Sequence, residues 1–260
     1  MKLVTWTIAL LLALGGAAMA AQPPASGSAP PVVTATTAND LDALALLKRM
    51  CDRLQAAKTF TVRGQASLEL PVAGGQLATF FNNFETAVRR PDGLSAHRSG
   101  DLPEFRFVYD GKAMTVHAPS TGTWGTTSAP PTLDAMLPVA GEQGGLNMPF
   151  DELLVADPYR AVTAGITEAL RAGQANVQGK KVEHLVLSNA AVKVEYWIDP
   201  DTALPVRSLV IYLDHPLRPH FMVEYTEWKL GAKVSDATFA LPKPQGASQV
   251  SFRDAANAFR

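Results

Sequence analysis

The chain has 260 residues, 47% of them hydrophobic, and carries 23 basic against 24 acidic side chains with no block of like charge. Phosphate backbones are bound by a basic stripe, and none is present, so nucleic acid is not an expected partner. The single cysteine, Cys51, leaves no possibility of an internal disulfide in any compartment.

At the N-terminus, Lys2 supplies a positive start, Leu3 to Leu14 an apolar run, and Ala18-Met19-Ala20 small residues at the two positions a signal peptidase reads. Residues 1–20 are therefore expected to be a secretory signal peptide, cleaved between Ala20 and Ala21. The run is too short to span a hydrocarbon core of roughly 30 Å, which takes about 20 apolar residues. Cys51 lies far from this site, so the thiol of a lipoprotein-type anchor is missing. The expectation is a soluble monomer delivered through the inner membrane to the periplasm. Residues 21–38, rich in Pro, Ala and Ser, read as a disordered spacer. Residues 39–250 then form one domain, and residues 251–260 a C-terminal tail.

Within the domain, Leu44, Leu47, Cys51, Leu54 and Ala57 recur at helical spacing, which predicts a helix from about Leu41 to Ala57 with Asn39 or Asp40 as its N-cap. From Thr59 the period changes to two. Segments Thr59–Leu70, Gly75–Arg90, Leu94–Arg98, Glu104–Tyr109 and Ala113–Ala118 read as strands, joined by turns at Ala73-Gly74-Gly75, Pro91-Asp92-Gly93 and Asp110-Gly111. After Ser128-Ala129-Pro130-Pro131 the spacing turns helical over Thr132–Val139, Pro149–Val155 and Pro158–Ala172, the last capped by Asp157 with Pro158 at its first position. Strands resume at Ala175–Gln178, Lys181–Ser188, Val192–Ile198, Leu204–Leu213 and His220–Leu230. About ten strands around a helical insert predict an α+β fold in which one long antiparallel sheet is covered on a single face by helices.

The longest strand candidate carries the most information. Alternation over Leu77–Arg90 places Phe80, Asn82, Phe84, Thr86, Val88 and Arg90 on one face and Phe81, Asn83, Glu85, Ala87 and Arg89 on the other. Phe105, Phe107 and Tyr109 share a face of a later strand, and Met114, Trp124, Met136, Met148 and Phe150 are spread over the hairpin and the insert. Such side chains suit either a close-packed core or a pocket for variable apolar shapes. The candidate ligand face is Phe80, Phe84, Val88, Phe107, Tyr109, Met114, Trp124 and Met136. Cys51, at helical spacing among Leu47, Met50 and Leu54, reads as a small buried hydrophobe.

Motifs of catalysis are missing from the sequence. His97, His117 and His184 stand alone, and Asp214, His215 and His220 fall in a Pro-rich connection between strands, so no metal site is assigned. No Gly-x-Ser-x-Gly elbow, Ser-x-x-Lys pair or phosphate loop occurs. Neither a catalytic residue nor a cofactor is assigned, and a non-enzyme is expected.

Six short motifs, in order, resemble a bacterial family of predicted periplasmic proteins, a domain of unknown function related to the LolA/LolB lipoprotein carriers. They are Leu47-Lys48-Arg49-Met50, Arg90-Pro91-Asp92, Tyr109-Asp110-Gly111-Lys112, the Ala118-Pro119 turn followed by Trp124, Trp197-Ile198-Asp199, and Phe239 through Ala247. The resemblance runs from about Leu41 to Val250. It implies an unclosed antiparallel barrel whose concave apolar face is roofed by helices and, in the carriers, receives acyl chains. It also implies that the arginine of the Arg-Pro motif, here Arg90, latches the roof by bonding to its backbone. The function expected on this footing is binding or carriage of a lipid, an acylated protein or another apolar molecule, with a partner in the inner or outer membrane. The alternative is an envelope sensor on the same fold that signals through a membrane partner.

Overall fold

The computed structural model describes residues 41–146 and 150–258. The expected signal peptide with its Ala20–Ala21 cleavage site, the spacer, the N-cap candidates Asn39 and Asp40, and Met148 lie outside the described residues.

Helix α1 (Leu41–Gln55) buries Ala43, Leu46, Leu47, Met50, Cys51 and Leu54, the three- and four-residue stripe expected of an amphipathic helix. Five strands of the first half follow: β1 (Thr59–Pro71), β2 (Leu77–Arg89), β3 (Gly93–Gly100), β4 (Phe105–Tyr109) and β5 (Ala113–Ala118), then β6 (Thr123–Ser128). The insert comprises α2 (Leu133–Gly144), a single 3-10 turn at Asp151–Leu153, and α3 (Pro158–Thr163). The second half adds β7 (Glu168–Val177), β8 (Lys180–Ser188), β9 (Val192–Ile198), β10 (Pro205–Tyr212) and β11 (His220–Leu230), and the chain ends with β12 (Ser248–Gln249) and α4 (Phe252–Asn257).

All the strands join one curved sheet in the order β12-β6-β5-β4-β3-β2-β1-β11-β10-β9-β8-β7. Pairing is antiparallel throughout except between β12 and β6. β12 and β7 are opposite ends of the order and do not pair, so the barrel is unclosed, as expected. The meander of each half forms by local hairpins, and the two halves meet where β1 pairs β11, Phe60 opposite Leu230 through Leu68 opposite Phe221.

Several elements differ from the sequence reading. The helix starting at Pro158 is capped by Asp157, whose side chain accepts from the Arg160 amide, but it stops at Thr163 instead of Ala172. Gly165, at φ 80, turns the chain, and Glu168–Val177 becomes a strand. Pairing with β8 satisfies this segment's backbone, and that tertiary gain overrides a weak local helix preference. α2 continues past Val139 to Gly144, with exposed Pro138 inside it, and closes at Gly145 in the left-handed region, φ 63. The Pro149–Val155 helix is reduced, within its described part, to the turn at Asp151–Leu153. β6 and β12 raise the strand count to 12 from the expected ten or so. Residues 252–257, expected within a tail, form α4, which inserts Phe252 and Ala255 into the core.

α4 can approach because β6 carries a glycine where it crosses. A Cβ on Gly125 would stand 2.6 Å from the Ser251 carbonyl oxygen and 2.8 Å from the Phe252 Cα. Between β11 and β12 the chain runs over the opposite, convex face. There Phe239 is buried beneath Arg89, whose guanidinium lies 4.7 Å from the ring centroid.

Candidate functional site

Arg90 follows the last residue of β2 and begins the turn into β3, with a cis Arg90–Pro91 peptide. Its guanidinium donates five hydrogen bonds, all to backbone carbonyls. Nη1 reaches Leu54 O at 2.8 Å and Ala57 O at 2.7 Å, at the C-terminal end of α1. Nη2 reaches Leu153 O at 2.8 Å, and Nε lies 3.1 Å from Leu154 O and 3.0 Å from Val155 O. The planar fork therefore joins three pieces of chain: the β2 end, the α1 end and the 153–155 segment. The guanidinium also sits over the Phe60 ring, 5.1 Å from its centroid. Burial pulls its pKa down to about 10, so it stays charged at neutral pH, and helix-end carbonyls are a favourable place for that charge.

The register shows which candidate ligand residues face the same way. Val88, Leu94, Tyr109 and Met114 stand opposite one another across β2 to β5, and Phe107 lies one row further along, beside Ala96 and Val116. These side chains and Met136 of α2 are at most 1% exposed. Tyr109 also donates its hydroxyl to Pro130 O at 2.7 Å, which ties β4 to the approach to α2. Val88, Phe107, Tyr109, Met114 and Met136 are thus close-packed core under the helices, with no side-chain surface left for a ligand.

Trp124 is not on this face at all. β6 pairs β5 with Gly125 opposite Val116 and Trp124 opposite His117, so Trp124 lies on the convex side with His117 and exposed Arg106. The connection before β6 had no strand phase in the sequence reading, and a one-residue offset sends a side chain through the sheet.

Phe80 and Phe84 behave differently. They lie on the concave face with Val88 but both remain partly exposed. Phe80 continues a row across the sheet through Leu68, Phe221, Val210 and Val194. In that row Phe80, Leu68, Phe221 and Val194 all keep accessible surface. Phe84 sits over Gly64, where a Cβ would fall 2.8 Å from its ring, and meets Tyr225 edge-on at 6.2 Å. The concave face is therefore filled at one end and open along these rows.

The inner limit of the open rows is the 150–153 segment, which sequence reasoning did not single out beyond Phe150. The Phe150 ring packs on Tyr196 at 5.9 Å and on Phe221 at 6.1 Å. Asp151 and Glu152, which follow, are half-buried, and loss of solvation pushes the Asp151 carboxyl up to about 8 and Glu152 upward against the lowering effect of the Glu152 backbone N–H. The Glu152 charge also opposes ionisation of Asp151. The charge of Glu152 adds to burial in raising the phenols of Tyr196, Tyr212 and Tyr225. Two adjacent acids in a short insert carry no sequence signal of desolvation; it comes from the fold around them.

A shallow trough of about 1090 Å³ lies elsewhere, between Arg49 and Arg53 of α1, the 200–204 turn, and Trp228 and Leu230 of β11. None of the candidate ligand residues lines it. Among the described residues no group of three or more His, Cys, Asp or Glu is placed to hold a metal ion, and no helix is long and apolar enough to cross a membrane.

Residues 43–253 match the family model described as predicted periplasmic protein, DUF2092. This chain is a member of that family. No curated protein is significantly similar to it in sequence. Among solved structures, the chain is similar to the Mycobacterium tuberculosis lipoprotein LppX at 12% identity and TM-score 0.46, over 76% of this chain and all 100% of that one. A LolA superfamily protein from Nitrosomonas europaea aligns at 11% identity and TM-score 0.36, over 76% of this chain and 97% of the other. A chain of the Pseudomonas aeruginosa MucA/MucB complex aligns at 15% identity and TM-score 0.43, over 80% of this chain but 63% of that one, so the DUF2092 protein spans less than two thirds of that neighbour.

Proposed function

We propose that this DUF2092 protein is exported, loses its leader at Ala20–Ala21, and holds a lipid, an acylated protein or another apolar molecule on the open rows of its concave face. The observation that carries the reading is the contiguous run of large, partly exposed apolar side chains there: Phe80, Leu68 and Phe221 in register, with Phe84 and Tyr212 in neighbouring rows. Exposed apolar surface that is concave and bordered by a close-packed core is the usual form of a site that shelters an apolar ligand by desolvation. Compared with the sequence reading, the ligand face shrinks to Phe80 and Phe84 and extends instead across β1 and β11. Arg90 acts at a distance from the ligand by fixing the 153–155 segment that bounds it.

The test is native mass spectrometry of protein taken from its own periplasm without detergent. A bound mass extractable into organic solvent, and much reduced in Phe221→Asp, is the expected result. A clean unliganded mass with a copurifying protein would overturn the carrier reading in favour of the sensor.

A further inference from the structure

A cation stands among the apolar rows of the concave face, and its bonding is incomplete. Arg98 of β3 lies opposite Phe84 of β2 on one side and Phe105 of β4 on the other, so the register puts it in the row of Phe84, one of the open ligand residues. Arg98 is half-buried, its Cζ lies 5.7 Å from the Phe105 ring centroid, and Nη2 donates to Pro103 O at 3.0 Å. Nε is shut away from water with no partner among the described residues. Nor does a carboxylate meet the charge. Of the two acids in the 101–104 loop, Asp101 accepts from the Phe81 amide, and Glu104 turns to His97 and Arg106. Burial lowers the pKa of Arg98, and no neighbouring acid offsets it. Arg90 differs in that all three nitrogens of its fork are bonded.

A second side chain adds a free donor on the same face. Asn82, only 4% exposed, stands between Phe80 and Phe84 in the inward phase of β2, opposite Gly100 and diagonal to Arg98. The Leu102 amide donates to its Oδ1 at 3.1 Å, which settles which end of the side-chain amide is oxygen. Its Nδ2 has no hydrogen-bond partner among the described residues.

We propose that Arg98, with Asn82 Nδ2 diagonal to it, receives the carboxylate of an amphiphilic ligand, such as a long-chain fatty acid, whose apolar chain runs from Phe84 along the Phe80–Leu68–Phe221 row. A guanidinium is a planar fork of N–H donors with no acceptor, and a carboxylate is the planar two-oxygen acceptor that matches it in shape and in single charge. A desolvated charge without a counter-ion is costly, and an anion brought in with the ligand removes that cost. The apolar walls, Phe84 and Phe105, strengthen the contact by keeping water from it. The loop bonds to Pro103 O and from the Leu102 amide use one donor of Arg98 and the oxygen of Asn82, and leave the remaining donors for the ligand.

The inference rests on the apolar-ligand reading, and the experiment separates the two. Dodecanoate, dodecanol and dodecylamine, each below its micelle concentration, are titrated at pH 8 into the mature protein carrying a displaceable apolar fluorophore. Dodecanoate is expected to displace the fluorophore about tenfold more tightly than dodecanol, the equivalent of one good charge-assisted contact, with dodecylamine no tighter than the alcohol. The chain's formal net charge of −1 supplies no general attraction for an anion. In Arg98→Met, which keeps an unbranched apolar stem, the acid's advantage disappears while dodecanol affinity holds. Asn82→Asp retains the acceptor for the Leu102 amide but sets an anion beside Arg98, and should also abolish the advantage. Should Arg98→Met lose the alcohol as well, Asn82→Asp decides: loss of the acid's advantage alone sustains the assignment, and an unchanged advantage overturns it. Equal binding of acid and alcohol by the wild type overturns the head-group assignment and leaves the apolar face standing. An advantage that persists in both variants overturns it too. If none of the three chains binds, both the assignment and the apolar-ligand reading fail.

Discussion

Replacing Arg90 by leucine removes one side chain that holds three segments together, and the size of the effect can be worked from its bonds. Five hydrogen bonds to carbonyls are lost. At a net ~0.5–1.5 kcal/mol for each, their sum is of order 4 kcal/mol, which is about a thousandfold in the equilibrium between attached and detached cover. The core beneath does not depend on these bonds, because Val88, Leu94, Tyr109 and Met114 pack on one another in register. The loss should therefore appear first as local opening. Hydrogen exchange at residues 150–156 and at the C-terminal turn of α1 is expected to accelerate by two to three orders of magnitude, roughly the factor given by that energy, while β3–β5 keep their protection. Cys51 supplies a second reading from α1: it is fully buried, and burial pushes its thiol up to about 12, so reagents reach it only when α1 lifts. Thiol labelling should rise in Arg90→Leu in parallel with exchange. Arg90→Lys, with one nitrogen and no fork, cannot serve both α1 and the 153–155 segment and should recover less than half of the lost protection. The reasoning fails if exchange in both segments stays at the wild-type rate, or if the whole sheet unfolds with no local phase.

Two further substitutions test other parts of the structure. Asp151 has its carboxyl pushed up to about 8, so the folded state holds a proton that the unfolded chain releases from about pH 4 upward. This group's contribution is complete at low pH and is lost as pH rises toward 8, so Asp151→Asn should raise the melting temperature at pH 8 and gain progressively less as the pH falls to 4. A gain independent of pH would contradict the assignment of that pKa to burial. Gly64→Ala places a methyl 2.1 Å from the Glu224 carbonyl oxygen and against the Phe84 ring, at the irregularity where β1 meets β11. Overpacking of this kind should cost about 2–3 kcal/mol in urea denaturation, and a loss below about 0.5 kcal/mol would mean the two halves of the sheet are not held closely there.

The local signals in the sequence were followed closely wherever one contact set decided the outcome. α1 is visible in the stripe from Leu44 to Leu54, and strands β1 to β5 and β8 to β11 in their alternation and their Gly-containing turns. The face of β2 came from the period alone, including Arg90 at its inner end. The Glu168–Ala172 stretch differs from the expected helix because its strand character exists only in pairing with β8, a contact no window of neighbouring residues contains. β12 is two residues long and exists only because β6 is there to receive it.

What the sequence determined by itself is the family, the antiparallel architecture, and the side of β2 that faces inward, because each of these depends on periodicity and on motifs a few residues long. Tertiary structure decided which inward residues are packed and which are open. Val88 and Phe84 occupy equivalent phases of one strand, yet the first is sealed and the second is not, because helices cover one end of the curved sheet and leave the other. It also left Asp151 and Glu152 half-buried, with desolvation raising both carboxyls. Burial is a property of what lies across the gap, and the rings on which Phe150 of this segment packs, Tyr196 and Phe221, come from strands that the sequence brings on only 46 and 71 residues later.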